Sequence, residues 1–406
     1  MINQMNWKNK KEHYKVPIQS WCEKPEGKAL EQAEHLACHP SVFHHIALMP
    51  DCHPGYGMPI GGIIACVDVL IPNAVGVDIG CGMGAVKTNV CVTEETTRKK
   101  LRELVNKIKG RVPCGEGKGH KKPQEWEGFD EKLDELSDRP WMDKHTRNLA
   151  KKNLGTLGGG NHFIEIQADT ETNIWLMIHS GSRNLGNVVA KYYHKLAVEM
   201  NQKLQYDLPT LDLAYFFSDS DEGMLYINDM KFALDYAKEN RKRIMMNVMA
   251  AFKEMYPHAA FDEPINIHHN YAALEHHYGK DLWVHRKGAT SARKDEIGII
   301  PGSMGTPSYI VCGLGNPESF MSCSHGAGRV FGRNEASKKL TLEECDKAMG
   351  QIVYDRWNKI RRGKVKGLYD LGEAPQAYKD IESVINSQKD LVTPIVKLRP
   401  LAVVKG

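Results

Sequence analysis

Residues 75–86 read Val-Gly-Val-Asp-Ile-Gly-Cys-Gly-Met-Gly-Ala-Val. Two short apolar steps deliver Asp78 and Cys81 into a turn punctuated by Gly76, Gly80, Gly82 and Gly84. Glycines at that density let the backbone take positive φ and approach a bound group closely. An aspartate and a cysteine three residues apart on such a turn can face one metal ion or a pair of them. Taken alone, the stretch reads first as a Gly-rich bend around a buried small thiol, because free cysteine is commonly a core residue. The company it keeps further along the chain changes that reading.

Composition bounds the rest. At 406 residues the chain is long for one core, so one large body or two intimately joined domains is expected. Hydrophobic, charged and aromatic shares of 41%, 26% and 8% are those of an ordinary globular protein. No run approaches the roughly 18 apolar residues of a membrane-crossing helix. The N-terminal stretch MINQMNWKNKKEHYK is polar and basic, unlike a secretory signal. The ten cysteines include no CxxC pair, which suits a reduced compartment with free or metal-bound thiols. A cytoplasmic protein that does not enter a membrane is expected, and a net charge of +4 says little about partners.

Periodicity gives a coarse map. A helix is expected over Lys28–Ala37, then a short buried strand from His44 ending at Pro50, then a loop, DCHPGYGMPIGG. Strands follow at Ile63–Leu70 and Ala85–Val92, and a helix over Thr96–Lys109 with Leu101, Leu104, Val105 and Ile108 on one face. Residues 110–148, the most polar part, read as a surface excursion. Its GEGKGHKK run lacks the GxxxxGK[ST] spacing and a leading strand, so it is taken as a solvated basic loop. Strands at NHFIEIQ and IWLMIHS precede helices near 188–204 and 225–255. Paired strands are expected in INIHHNYAALE and LWVHRKGATSA, with more β structure in EIGIIPGSMGTPSYIVCGL. Thr341 and Glu344 sign a helix start by a capping box, with the helix running towards Arg356. A short helix near Asp380–Ser387 and a β-like tail close the chain. Strands outnumber clean crossovers, so one mixed α/β body is expected.

Eighteen histidines is a high number for this length. His162, His179, His269 and His325 sit at strand ends beside Gly-rich turns: GGGNHFIE, MIHSGSR, IHHNY and SCSHGAGR. A single strand histidine is usually a satisfied core or surface group. Four in one context, with Asp78 and Cys81, form a donor set for a divalent metal or a metal pair. An ionised Cys81 could bridge two cations. The loops GGGN, GSRNLG, PGSMG and GAGR offer backbone N–H groups to phosphate oxygens. Arg183, Lys287, Arg329 and Arg333 lie within or just beyond such loops, and arginine there suits a bidentate grip on phosphate. Metal ligands with anion loops point to phosphoryl or nucleotidyl transfer.

The motifs MPDCHPGYGMPIGG, VGVDIGCGMG, LGGGNHFIEI, HSGSRNLG, INIHHNY, RKGATSAR, IIPGSMG, SCSHGAGR and the terminal VVKG occur together and in order. In this the chain closely resembles the RtcB-type RNA ligases, from about His44 to Gly406 and least over 1–40 and 110–148. The resemblance implies one ligase domain over 1–406, an α/β (mixed α+β) body with mixed sheets around a central metal-containing cleft. It implies GTP and two manganese ions as cofactors, with Asp78, Cys81, His162, His179 and His269 as metal ligands and Cys81 bridging. His325 would be the nucleophile that becomes guanylylated. Asn161, Glu165, Ser303, Gly326, Tyr378 and Lys405 would form the guanylate pocket, with Glu165 and Lys405 on the base. Asp51 would stand near the pyrophosphate-leaving side. The implied substrates are RNA 2′,3′-cyclic phosphate or 3′-phosphate ends and 5′-hydroxyl ends, in RNA repair or tRNA splicing, with an archease-like activator as a further partner. The implied chemistry passes the guanylyl group from His325 to the RNA 3′-phosphate, and the 5′-hydroxyl then displaces GMP. Manganese comes from the family, since a thiolate by its softness favours zinc. The rival readings are a dinuclear phosphodiesterase or phosphatase without a covalent nucleotide, and a non-catalytic RNA-binding protein with a structural metal.

Overall fold

The computed structural model describes residues 13–23, 25, 27–136 and 138–406. Residues 1–12, which carry most of the basic N-terminal stretch, lie outside the described residues. Two sheets hold the fold. One has seven strands in the order Ile297–Ile300, Ser308–Gly313, Val392–Lys405, Phe163–Ala168, Asn173–Ser180, Gly82–Cys91 and Ile265–His268, all pairs antiparallel. The other runs Ile18–Ser20, Val42–Tyr56, Met58–Cys66, Lys280–Lys287 and Asn270–His277, and its first pair is parallel. The chain steps from an edge strand of one sheet to an edge strand of the other through a single residue, His269. The mixed α/β class expected from the sequence is what the structure has.

The helix Asp221–Met255 braces the seven-stranded sheet. Ser220 caps it by accepting from Gly223 N at 3.1 Å. Its buried side includes Tyr226, Phe232, Tyr236, Ile244, Val248 and Phe252, at helical spacing. The helix Arg98–Arg111 packs against it on the stripe anticipated, Leu101, Leu104, Val105 and Ile108, and Thr97 caps its start. The capping box of Thr341 and Glu344 is present, on a helix that ends at Met349, short of Arg356. No helix among the described residues is long and apolar enough to cross a membrane.

Two expectations are corrected. The strand from Val42 does not end at Pro50 but runs to Tyr56, with the register shifting between Leu48 and His53. Such an irregularity absorbs Pro50 without costing a ladder bond. Residues 110–148 are also not a polar excursion. They contain the helix Glu127–Leu136, and Phe129, Leu136, Trp141 and Met142 are buried in a core cluster with Phe232 and Tyr236. Four large apolar side chains suffice to dock a segment whose remaining residues are polar.

At the junction of helix, sheet and opening turn lies Arg241, fully buried. Its guanidinium donates to Gly80 O at 2.7 Å, Ser180 O at 3.1 Å, Asn266 Oδ1 at 2.7 Å and His268 Nδ1 at 3.1 Å. Gly80 itself has φ +79°, and a Cβ there would stand 2.8 Å from that of Ala237, so the turn lies flat on the helix. Arg241→Met would strand buried carbonyl acceptors and should cost about 3 kcal/mol. Urea denaturation checks this; an unchanged midpoint and slope would refute it.

Candidate active site

Strand register assembles the cluster. His179 pairs with Met83 on one side and Phe163 on the other. Cys81 precedes Met83 by two residues, His162 precedes Phe163 by one, and His269 leaves the strand paired to Gly82. All four side chains therefore gather at the ends of four neighbouring strands. Nε2 of His162 and of His179 lie 3.5 and 3.2 Å from Cys81 Sγ. His179 Nε2 is 3.4 Å from His269 Nε2, and Asp78 Oδ2 is 3.3 Å from His162 Nε2. Gly181 leaves the room that Asp78 needs, since a Cβ there would fall 2.6 Å from its carboxylate.

The donor atoms fit a metal. A sulfur and a nitrogen bound to one tetrahedral ion sit roughly 3.6 Å apart, from bond lengths of about 2.3 and 2.1 Å. Nδ1 of His162 donates to Leu157 O at 3.0 Å and Nδ1 of His179 to Asn161 O at 3.2 Å. Those bonds fix the tautomer and turn each Nε2 lone pair inward, the usual support of metal-ligating histidine. Burial, then neighbouring histidines, holds His179 and His269 well below the ordinary imidazole range. Burial, then Asp78, pushes the Cys81 thiol well above its ordinary range. Burial works against the Asp78 carboxylate too, but His162 and Arg183 outweigh it and hold it at about 2. His179 and His269 held neutral beside a thiol that resists ionising leave room for the positive charge that a divalent cation would supply. Cys81, His162 and His179 form the tightest set, with Asp78 beside His162 and His269 beside His179.

His325 lies next to this cluster, its ring 4.8 Å from that of His269. Asp51, fully buried in the strand that crosses Pro50, accepts from His325 Nδ1 at 2.6 Å and from His325 N at 3.1 Å. A carboxylate only accepts, so the Nδ1 proton of His325 points at Asp51 and Nε2 is the ring nitrogen left facing away from it. The resemblance implied a pyrophosphate-side position for Asp51; the structure places it under the imidazole.

From His325 a cleft opens whose walls include Asn161, Glu165, Ser303, Gly326, Tyr378 and Lys405, brought together from distant parts of the chain. Burial raises Glu165 to about 8 against the opposing pull of Lys405 and Gln167. Arg329 and Arg333 also line the cleft. Neither is free. Both donate to Glu373 Oε1, at 3.2 and 2.8 Å, while Lys405 Nζ and Tyr378 OH donate to its Oε2 at 3.1 and 2.5 Å. Burial opposes this carboxylate's charge, but Lys405, Arg333 and Arg329 hold it ionised well below its usual range. Glu373 is the residue that sequence reasoning missed; a lone glutamate in LGEAPQAYKD carries no spacing signal. Arg183 lies behind Gly158 and donates to Thr156 Oγ1 at 3.2 Å. Lys287 is not brought to the cleft: it is buried, donating to Asn73 O at 2.8 Å and to Tyr56 O.

The family model for the tRNA-splicing ligase RtcB matches residues 32–406. The chain belongs to the RtcB family. It is 41% identical to the RNA-splicing ligase RtcB of Escherichia coli over 96% of this chain and 98% of that protein. It is 31% identical to the tRNA-splicing ligase RtcB of Thermococcus kodakarensis, covering 93% and 91%, and 32% identical to that of Methanococcus maripaludis at the same coverages. The matched residues include the whole seven-stranded sheet, all of the other sheet except Ile18–Ser20, and every side chain of the cluster.

Since the Cys81 thiol is protonated in the buried site, binding a divalent cation there must expel its proton. Metal affinity should therefore rise about tenfold per pH unit between pH 6 and 8. Cys81→Ala should bind little metal by elemental analysis yet keep the metal-free protein's unfolding midpoint. A pH-independent affinity would exclude a thiolate ligand.

Proposed function

We propose that this RtcB-family protein is an RNA ligase, one domain over 1–406, that joins RNA 2′,3′-cyclic phosphate or 3′-phosphate ends to 5′-hydroxyl ends with GTP. The observation that carries this reading is the Asp51–His325 pair beside the metal-fitting cluster and at the head of the cleft. The names of the relatives, RNA-splicing and tRNA-splicing ligases, supply the substrate class.

In this reading Asp51 keeps the proton on Nδ1, and the Nε2 lone pair of His325 attacks the α-phosphorus of GTP. The bond to the β-phosphate oxygen breaks and pyrophosphate leaves. Glu165 and Lys405 orient the base, and Asn161, Ser303 and Gly326 the ribose and phosphate. Tyr378, locked to Glu373, closes the pocket wall. Asp78, Cys81, His162, His179 and His269 would hold two manganese ions, whose charge would neutralise the phosphoryl oxygens. A cyclic end is first hydrolysed to a 3′-phosphate. That phosphate takes the guanylyl group from His325, and the 5′-hydroxyl then attacks the RNA 3′-phosphorus and expels GMP. The covalent step makes chemical sense, because a bare phosphate monoester offers no adequate leaving group and GMP is one.

Labelled GTP with manganese should leave acid-labile, base-stable label on the wild type and none on His325→Ala. Absence of label on the wild type would sink the ligase reading and favour a phosphodiesterase. A second outcome follows from Glu165. The N–H donors of guanine need an ionised carboxylate, and Glu165 titrates at about 8. GTP binding should tighten as pH rises from 6.5 towards 8 and level off above it. In Glu165→Gln the binding, measured by calorimetry, should be weaker and lose that dependence.

A further inference from the structure

Residues 356–366 read Arg-Trp-Asn-Lys-Ile-Arg-Arg-Gly-Lys-Val-Lys, six cations in eleven residues without an acid. The whole chain carries +4, so without this +6 the remainder is net −2. The segment folds as a hairpin. Ile360 N donates to Leu368 O at 2.8 Å, Gly367 N to Ile360 O at 2.9 Å and Asp370 N to Asn358 O at 2.8 Å. Val365 is buried and pins the tip, while Arg356, Lys359, Arg361, Arg362, Lys364 and Lys366 are exposed. Among the described residues, none of the six has an ion-pair partner. The base is fixed, since Asp355 accepts from Arg102 at 3.2 Å and from Lys109. Like charges crowded on an ordered hairpin repel one another; Lys359 lies over the Tyr369 ring at 5.5 Å, and no carboxylate among the described residues pairs with any of the six. A polyanion would relieve the repulsion.

The position of the hairpin says which polyanion. Arg356, Trp357 and Asn358 line a second cavity together with the flanking acids Asp355 and Asp370, and Arg333, Glu373 and Lys405 also line it. Those same three residues line the cleft of His325. The Arg333–Glu373–Lys405 bridge is thus a partition between the reacting histidine and an outer cavity with the basic hairpin on its rim. Trp357, half-buried and held by Asp346 Oδ1 at 2.9 Å, gives that cavity an aromatic wall. Cations beside an aromatic wall are what a single-stranded nucleic acid needs, phosphates on the former and a base on the latter.

We infer that the hairpin at 356–366 and the outer cavity bind the single-stranded RNA segment leading to the reacting end. The inference rests on the ligase reading for the identity of the RNA, and the test separates the two. A fluorescent single-stranded oligoribonucleotide ending in a 3′-phosphate is titrated by anisotropy across a salt series, with guanylylation of His325 by GTP followed in parallel. The variant Arg361→Glu/Arg362→Glu/Lys364→Glu should bind this RNA at least 30-fold more weakly at about 0.1 M salt. The slope of log affinity on log salt should fall by about 2, from roughly 0.7 for each of three phosphate contacts. Its rate of guanylylation should match the wild type. Arg361→Lys/Arg362→Lys, which keeps the charge, should bind within about threefold of the wild type. Unchanged RNA affinity and slope in the charge-reversed variant would overturn the inference and leave an acidic protein as the hairpin's partner. Loss of guanylylation together with RNA binding would also overturn it, making the hairpin a prop for the cleft. Hairpin-dependent RNA binding by a protein that takes no guanylyl label would uphold the inference and defeat the ligase reading.

Discussion

The guanidinium of Arg241 is the bond on which the site's geometry depends. It reaches from the long helix to the turn at Gly80, to Ser180 at the end of the strand carrying His179, and to Asn266 and His268 on the strand leading to His269. The positions of Cys81, His179 and His269 are therefore tied to one side chain. Hydrogen bonds made by a charged donor in a dry interior are strong and directional, and leaving such a donor unmatched is costly. Burial lowers Arg241 to about 10, and it stays cationic at neutral pH with the Asp78 carboxylate helping to hold the charge. A fixed positive charge behind the cluster favours the anionic form of Asp78 and works against the burial that keeps the Cys81 thiol up.

The two halves of the site solve opposite electrostatic problems. Around Cys81, His179 and His269 are held neutral and the thiol resists ionising, so the cluster's anionic form awaits positive charge from outside. Around Glu373 the converse holds. Three cations and a phenol meet one buried carboxylate, so Glu373 is held ionised and fixes Arg329, Arg333 and Lys405 in place while the group stays net positive. His325 stands between these regions, tied through Asp51 to the five-stranded sheet and touching His269 at the junction of both sheets. His325 anchored in one sheet beside the Cys/His cluster displayed by the other is held by the relation between the sheets, which a long hydrogen-bonded core fixes better than any loop.

How much of this was legible in the sequence depended on whether the signal was local. Asp78 and Cys81 share a turn, His162, His179 and His325 each sit beside a glycine loop, and His269 stands in a histidine pair at a strand end, so the donor set could be read residue by residue. So could the stripe of Arg98–Arg111 and the box of Thr341 and Glu344. Asp51 was visible as an acid, but its bond to His325 spans 274 positions and had no local trace. Glu373 is likewise defined by partners 5 to 44 residues away, and by its burial. Lys287 shows the reverse error: its place in a Gly-rich motif suggested a phosphate grip, while its ammonium turns inward to backbone carbonyls. The helix Glu127–Leu136 was hidden because a docked segment needs few apolar residues, and averaging over 39 polar-looking positions buried them.

Averaging also concealed the charge distribution. A total of +4 does not suggest a nucleic-acid partner, yet it is the sum of a dense basic hairpin and a slightly acidic remainder. Glu373 fixes the positions of Arg329, Arg333 and Lys405 without cancelling their charge, since three cations meet one carboxylate. The hairpin adds six exposed cations for which no ion pair is formed among the described residues. Charge is screened beyond a Debye length of about 10 Å, so cations outside the cleft extend the reach of those inside it. Under the proposed function such an arrangement would concentrate a polyanion at the entrance and leave discrimination to the groups around His325.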